Sequence, residues 1–286
     1  MTDAHLLDLQ HTALRVRRLV LETVHGAGAG HVGGPLSAAD ILTALYFDLM
    51  QVDVERPRWA DRDRFVLSKG HASVGLYATL ALRGFFPLSE LATFDAVNSR
   101  LQGHPDMTVL DCLDMSTGSL GQGLSAGVGM ALAARLQGLS YHTWVLLGDG
   151  DTQEGQTWEA AFVAERYGLR RLTAVVDWNG LQQYGWATEA GYGDLDRRPA
   201  QERLAEKWDA FGWRVLEVDG HDMGCLLEVL HRAAEQDGPT AVLAHTVKGK
   251  GVSFMEGDLN WHARAPSDEE LAAALAELDA AAETLT

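Results

Sequence analysis

The chain alternates between short apolar runs and longer segments in which apolar residues recur every three or four positions. RFVLS at 64–68, HTWVLL at 142–147, RLTAVVDW at 171–178, WRVLEVDG at 213–220 and TAVLAHTV at 240–247 read as strands. Residues 6–25 predict a helix, with Leu6, Leu9, Leu14, Leu21 and Val24 at helical spacing and Gly26 as the stop. Ser37 and Asp40 predict an N-cap pair opening a helix over SAADILTALYFDLM at 37–50. Further helices are expected over 73–84, 124–136, 157–168, 207–213 and 223–236. A capping box of Ser267 and Glu270 opens a helical tail over about 266–286. Strands alternate with helices and are apolar along nearly their whole length. That combination predicts an α/β fold: a mostly parallel sheet with helices on both faces. With no internal repeat, low-complexity block or interdomain linker, residues 1–286 read as a single domain.

The run VLL at 145–147 breaks at once into GDGDTQEG. A turn explains an Asp-Gly pair. Parallel strands, however, bring their carboxyl ends to one edge of the sheet, where α/β proteins bind ligands. Asp149 lies just past one strand and Asn179 just past the next, 30 residues on, about the length of one βαβ unit. A carboxylate and an amide oxygen, joined by a loop carbonyl such as that of Leu181, suit a hard divalent cation. Phosphate oxygens commonly complete such a shell, and Gly148 and Gly150 leave the backbone open to a diphosphate.

Charge makes that local arrangement necessary. The 286 residues carry a net charge of −17, with a pI near 4.9. Nucleic acid and anionic membranes both require a basic footprint, which is missing here. An anionic ligand therefore needs backbone N–H groups or a metal ion to hold it. Cys112 and Cys225 lack metal or redox spacing and read as reduced thiols. The acidic N-terminus has no signal-peptide pattern, and no stretch reaches 18 apolar residues, so a cytoplasmic protein is expected.

Gly precedes His at 30–31, 70–71, 103–104 and 220–221. With 30 Gly and 11 His, chance supplies roughly one such pair. His31, His71 and His104 fall in loop-like stretches, where histidines can relay protons near neutral pH; His221, at a strand end, reads as structural. STGSLGQG at 116–123 precedes a helix and offers backbone groups to a ligand. Lys248 and Lys250 in KGKG read either as flanking a site mouth or as solvated loop lysines. Trp158, Trp178 and Trp261 read as packing.

In order along the chain, GHVGGPLSAADIL, DRFVLSKGHAS, GHPD, STGSLGQGLSAGVGMA, GDGDTQEGQTWEA, DWNGLQ, DGHD and TVKGKG resemble the diphosphate-binding, N-terminal half of transketolases. The GDG…N pair is the general thiamine diphosphate signature of such enzymes. GHxG, KGHA and TGxLGQG narrow the resemblance to the transketolase group. The resemblance implies the thiamine diphosphate-binding fold. It also implies that Asp149, Asn179 and the Leu181 carbonyl hold Mg²⁺, or Ca²⁺ or Mn²⁺ in its place, against the cofactor's diphosphate. Gly148, Gly150 and His71 would lie at that diphosphate, and Gly118, Ser119 and Leu120 along the cofactor's rings. His31, His104 and His262 would face substrate hydroxyls and assist proton transfer, with His262 also near the cofactor. Glu154 and Glu159 resemble acids placed at a subunit interface; the simpler reading is first-turn helix acids.

The implied reaction moves a two-carbon ketol unit from a ketose or ketose phosphate to an aldose. Full-length transketolases are about twice as long as this chain, so the resemblance implies a split enzyme. Its partner would be a C-terminal subunit carrying the pyrimidine-binding half, in a dimer of heterodimers. Val32 and Lys69 stand where many full-length enzymes have Pro and Asn, and Tyr184 stands where Asp is usual. The donor and acceptor sugars are not legible. A subunit of a thiamine-dependent 2-oxo acid decarboxylase is the nearest alternative, and a non-catalytic cofactor-binding paralogue is another. A nucleotide-binding dehydrogenase lacks its GxGxxG here.

Overall fold

The computed structural model describes residues 2–182 and 203–285, and the following statements concern those residues. Tyr184 lies outside them. Five strands, β1 (Arg64–Leu67), β2 (Thr143–Gly148), β3 (Leu172–Trp178), β4 (Arg214–Asp219) and β5 (Thr240–His245), form one sheet in the order β1-β2-β3-β5-β4. Every pairing is parallel. Gly148 pairs with Asp177, so the ends of β2 and β3 are level at the carboxyl edge.

Burial on both faces explains the continuous apolar runs. Trp144, Leu146, Val175 and Val242 point into a core shared with α1 (Asp3–Ala27), α2 (Gly33–Ala44), α3 (Ser73–Arg83), α7 (Met223–Ala234) and α8 (Asp268–Thr284). Val145, Leu147, Ala174 and Leu243 point the other way, onto α4 (Gln122–Gln137), α5 (Gly155–Arg166) and α6 (Leu204–Ala210). The alternation is the period-two geometry of a strand expressed in a sheet covered on both faces along β1, β2, β3 and most of β5, with the edge strand β4 partly exposed.

Several helices start or stop a few residues from the sequence expectation, α6 at Leu204–Ala210 against 207–213 among them, and two of the differences have a clear cause. Helix α1 runs through Gly26 and stops at Gly28, whose φ of +67° lets its N–H reach the His25 carbonyl. Helix α2 begins at Gly33, before Ser37, and its N-cap Val32 makes no side-chain cap bond. Pro35 fits there because a first-turn residue needs no intrahelical N–H donor. Ser37 and Asp40 serve tertiary contacts: Ser37 Oγ donates to Asp177 Oδ2 (2.6 Å), and Asp40 accepts from Arg17 and His221. At the other end α2 passes into a π-helical turn over Leu45–Leu49. The tail behaves as expected, with the Ser267/Glu270 capping box formed and Ala274 and Leu278 buried against the rest of the domain. No helix among the described residues is long and apolar enough to cross a membrane. Cys112 and Cys225 are free thiols.

The small residues of α4 let it approach the sheet closely. A Cβ on Gly127 would sit 2.4 Å from Val145 Cγ2, and one on Gly123 would sit 2.5 Å from Ser68 Cβ. Gly127→Ala is therefore expected to destabilise the chain by about 1–3 kcal/mol through overpacking. Adding Val145→Ala should recover part of that loss. Urea unfolding of both variants tests it, and an unchanged midpoint for Gly127→Ala would show that α4 can shift outward at no cost.

Candidate active site

The carboxyl edge of the sheet opens into a cavity of about 520 Å³. Loops after β1, β2, β3 and β5 line it, as strand-end logic expects. Asp149, 3% exposed, begins a short 3-10 turn directly after β2. Its Oδ2 accepts from the Gly180 N–H at 2.8 Å, which laces the tips of β2 and β3 together. Asn179 Oδ1 accepts from the Leu181 N–H at 3.1 Å. Gly148, Gly150, Asn179 and Leu181 all line the same cavity.

Four histidines converge on it. The His31 ring lies 5.3 Å from His71, 6.1 Å from His104 and 5.3 Å from His262, and His71 stacks on His262 at 5.2 Å. Burial holds His31 down to about 4, helped by the charges of His104 and Lys248. Burial also holds His262 down to about 3 and places His71 well below the ordinary imidazole value. These three rings are neutral at neutral pH. His31 and His104 make no side-chain hydrogen bond to another described residue, which leaves their nitrogens for a ligand.

Of the residues singled out in the sequence, Gly118, Leu120, Glu154 and the four histidines join the oxygen donors in the cavity wall. Ser119 does not line the cavity and is exposed. Glu159 is exposed on α5, and Glu154 is its N-cap, with no side-chain cap bond. Trp261 is buried, and Trp158 packs on Trp208 at 5.2 Å.

Several site residues were not legible as such. Asp151 is fully buried and accepts from Ser68 Oγ (2.5 Å) and from the N–H groups of Gly121 and Gly148 (both 2.8 Å). Burial raises its carboxyl above the ordinary value, against those bonds. Gly121 takes φ +80°, and a Cβ there would lie 2.4 Å from Glu154 Cβ, so only glycine fits. Lys69, 1% exposed, forms an ion pair with the buried Asp177 and donates to the Gly34 carbonyl at 3.1 Å. Ser37 and Thr246 also donate to Asp177. Burial raises the Asp177 carboxyl, but Lys69 and the hydroxyl donors more than offset it, and the net direction is down. Lys248 is no solvated loop residue: it is 2% exposed, and its Nζ donates to the Leu181 carbonyl at 3.0 Å and meets His262 Nδ1 at 2.6 Å. Lys250 is the solvated one, paired with Glu256. The signal that would have found Lys248 is its place just past a parallel strand, the same logic that found Asp149 and Asn179.

A parallel sheet whose carboxyl edge presents oxygen donors, glycine-lined backbone and neutral histidines defines a diphosphate-binding α/β enzyme domain. Residues 9–283 match the family described as transketolase, thiamine diphosphate binding domain. A 6-deoxy-6-sulfo-D-fructose transketolase subunit from a Clostridium species is 44% identical over 274 residues, covering 96% of this chain and 97% of that protein. One subunit of an apulose-4-phosphate transketolase from Phocaeicola vulgatus is 41% identical, covering 94% of this chain and 93% of that one. The solved transketolase of Campylobacter jejuni superposes with a TM-score of 0.85 at 30% identity, covering 95% of this chain and 42% of that chain. The chain belongs to the transketolase family, as its thiamine diphosphate binding domain.

Two measurements probe the site. Lys69→Met leaves the Asp177 carboxylate buried without its partner and is expected to cost about 3–5 kcal/mol in urea unfolding. A loss below about 1 kcal/mol would mean that Ser37 and Thr246 suffice. For the histidines the folded-state values lie below that of the unfolded chain, so the unfolded chain binds more protons between about pH 4 and 6.5. Their contribution to stability is full above that interval and falls with pH inside it. His262→Gln should therefore make the loss of stability from pH 7 to pH 5 shallower than in the wild type. An equally steep loss would place a proton on His262 in the folded chain already.

Proposed function

We propose that this chain is the diphosphate-binding subunit of a split, thiamine diphosphate-dependent transketolase, moving a two-carbon ketol unit between sugars or sugar phosphates. One observation carries the reading: the oxygen donors at the tips of β2 and β3 open into the same cavity as four clustered histidines. The relatives of matching length named as transketolase subunits support it.

The residues present fit the cofactor and its metal. Asp149, Asn179 and the Leu181 carbonyl are hard oxygen donors of the kind that Mg²⁺ takes, and Ca²⁺ or Mn²⁺ would be accepted by the same set; the Leu181 carbonyl, which accepts from Lys248 here, would have to be given up to the ion. A Cβ on Gly150 would already touch Leu120 Cδ1 at 3.3 Å, and one on Gly118 would press on His104 Cδ2 at 3.1 Å, so the backbone at both positions is bare toward the cavity. Thiamine diphosphate, when bound, supplies the electron sink for breaking the carbon–carbon bond beside a ketose carbonyl. The chain's own groups handle protons and orientation. Neutral His31 can take a proton from a donor hydroxyl, and His104, on the exposed side of the cluster, can contact the sugar chain. His71, flanked by His31 and His262, helps to close the inner wall. Ser119 keeps a cofactor role only through its backbone.

The second wall of the active site would come from a partner subunit carrying the pyrimidine-binding half, in a dimer of heterodimers. The exposed Glu154 at the cavity mouth would meet that partner or the cofactor, and Glu159 on α5 would lie along the same contact. A cytoplasmic location suits this assembly. The sugars named for the two relatives are uncommon ones, and the acceptor and donor tested first should include them beside pentose phosphates.

The purified chain is expected to show no two-carbon transfer alone and to gain it once the pyrimidine-binding partner is present. Asp149→Ala should weaken thiamine diphosphate binding in the complex by at least about 100-fold, more than loss of an outer ligand contact. His31→Gln should lower kcat by roughly 10²–10⁴-fold while cofactor binding persists. Calorimetry and steady-state rates check both. Ordinary turnover by the isolated chain would refute the split-subunit reading.

A further inference from the structure

His221 lies just past β4, away from the cavity wall, yet its two ring nitrogens are both occupied. Nδ1 meets Asp40 Oδ2 at 2.7 Å, and Nε2 accepts the Val247 N–H at 2.8 Å. A backbone N–H can only donate, so Nε2 is bare and the proton sits on Nδ1. Asp40 is buried on α2, and Arg17 of α1 holds both of its oxygens at 3.1 and 2.5 Å. Arg17, Asp40 and His221 thus form a fixed anchor for the backbone at Val247.

That backbone begins the strap that carries Lys248. The strap is tied on either side of Val247: the Thr246 N–H donates to the Trp178 carbonyl at 3.1 Å, and the Gly249 N–H donates to the Gly33 carbonyl at 3.0 Å. Gly249 takes φ +82°, and a Cβ there would strike the Met255 carbonyl oxygen at 2.3 Å, so the strap has one path. From it, the Lys248 side chain reaches the Leu181 carbonyl and His262 Nδ1. An ammonium has three donors and no acceptor. Where it meets Nδ1, that nitrogen must be the bare one, and the proton of the neutral ring must be on Nε2. The Leu181 carbonyl can only accept, so Nζ is turned toward it as a donor, and a lysine in its ordinary ammonium form has a further N–H for Nδ1.

We propose that Lys248 locks His262 as the Nε2–H tautomer, so that His262 meets a substrate oxygen as a hydrogen-bond donor and not as a base. His221, held by Arg17 and Asp40, is the positioning residue that sets this through the Val247 amide. The substrate part rests on the transketolase reading; the tautomer does not. It divides labour among the histidines: His31, with no hydrogen-bond partner on its ring among the described residues, is the group that can accept a proton, and His262 is the group that polarises or steadies an oxygen.

Two-bond ¹H–¹⁵N correlation spectra of the full chain at neutral pH, labelled at histidine, read the tautomers directly. His262 and His221 are assigned by difference against His262→Gln and His221→Gln. The wild type is expected to show His262 as Nε2–H and His221 as Nδ1–H. Lys248→Met should relax His262 toward a mixture. His221→Phe should do the same at a distance, while His221→Gln, whose amide can both donate to Asp40 and accept from Val247, should keep the lock. An Nδ1–H signal for His262, or a tautomer unmoved in Lys248→Met, overturns the lock. An Nε2–H signal for His221, or an unmoved His262 in a folded His221→Phe, overturns the positioning role. If His221→Phe fails to fold, the wild-type His221 signal together with His221→Gln decides the matter. The spectra need no substrate or partner, so they stand whether or not sugar transfer is observed.

Discussion

The ion pair of Lys69 and Asp177 holds the carboxyl edge of the sheet together. Lys69 follows β1, Asp177 ends β3, Ser37 lies on α2 and Thr246 follows β5, and all of them meet at one carboxylate. Both charges are at most 1% exposed in the side chain. A buried pair of this kind adds little net stability, because desolvation offsets most of the attraction. What it supplies is position. The carboxylate satisfies donors from three separate segments, and Lys69 also grips the Gly34 carbonyl, so the edges of the cavity are fixed relative to one another. Asn179 stands two residues beyond this knot and inherits its placement.

Charge sets a second constraint. The chain carries a net charge of −17, and its surface field repels a diphosphate. The cavity wall carries charges of both signs. Lys69 and Lys248 are both buried in its wall, and the nearby histidines are kept neutral by burial and by those lysines. Diphosphate binding in this family member therefore calls for local compensation of the global charge: Lys69 is neutralised by Asp177, and Lys248 and backbone N–H groups share the wall with Asp149, Asp151 and Glu154.

The fold was legible because the strands other than the edge strand β4 are buried on both faces and leave long apolar runs in the sequence. Asp149 and Asn179 were legible because parallel strands end on one edge. His31, His71 and His104 stood out through their glycine neighbours, and the motif order along the chain tied them, with His262, to one family. The remainder is tertiary. Asp177 reads as one more strand residue until Ser37 and Lys69, 140 and 108 positions away, are seen to meet it. Ser37 and Asp40 look like a helix cap in sequence because caps and long-range hydrogen bonds use the same side chains. Gly26 and Gly28 are equally plausible stops, and only the turn that buries α1 chooses between them. Ser119, embedded in a motif whose neighbours line the cavity, faces solvent.

Asp151 carries one further meaning. Its two oxygens count off the distance from the end of β2 to the start of α4, through the amides of Gly148 and Gly121. Only a glycine at 121 leaves room for Glu154 beside it. The segment GDGD thus works as a ruler. Inserting a single residue between Gly148 and Asp151 would keep every chemical group and still misplace Asp149, so the interval between letters is as much a part of the signature as the letters.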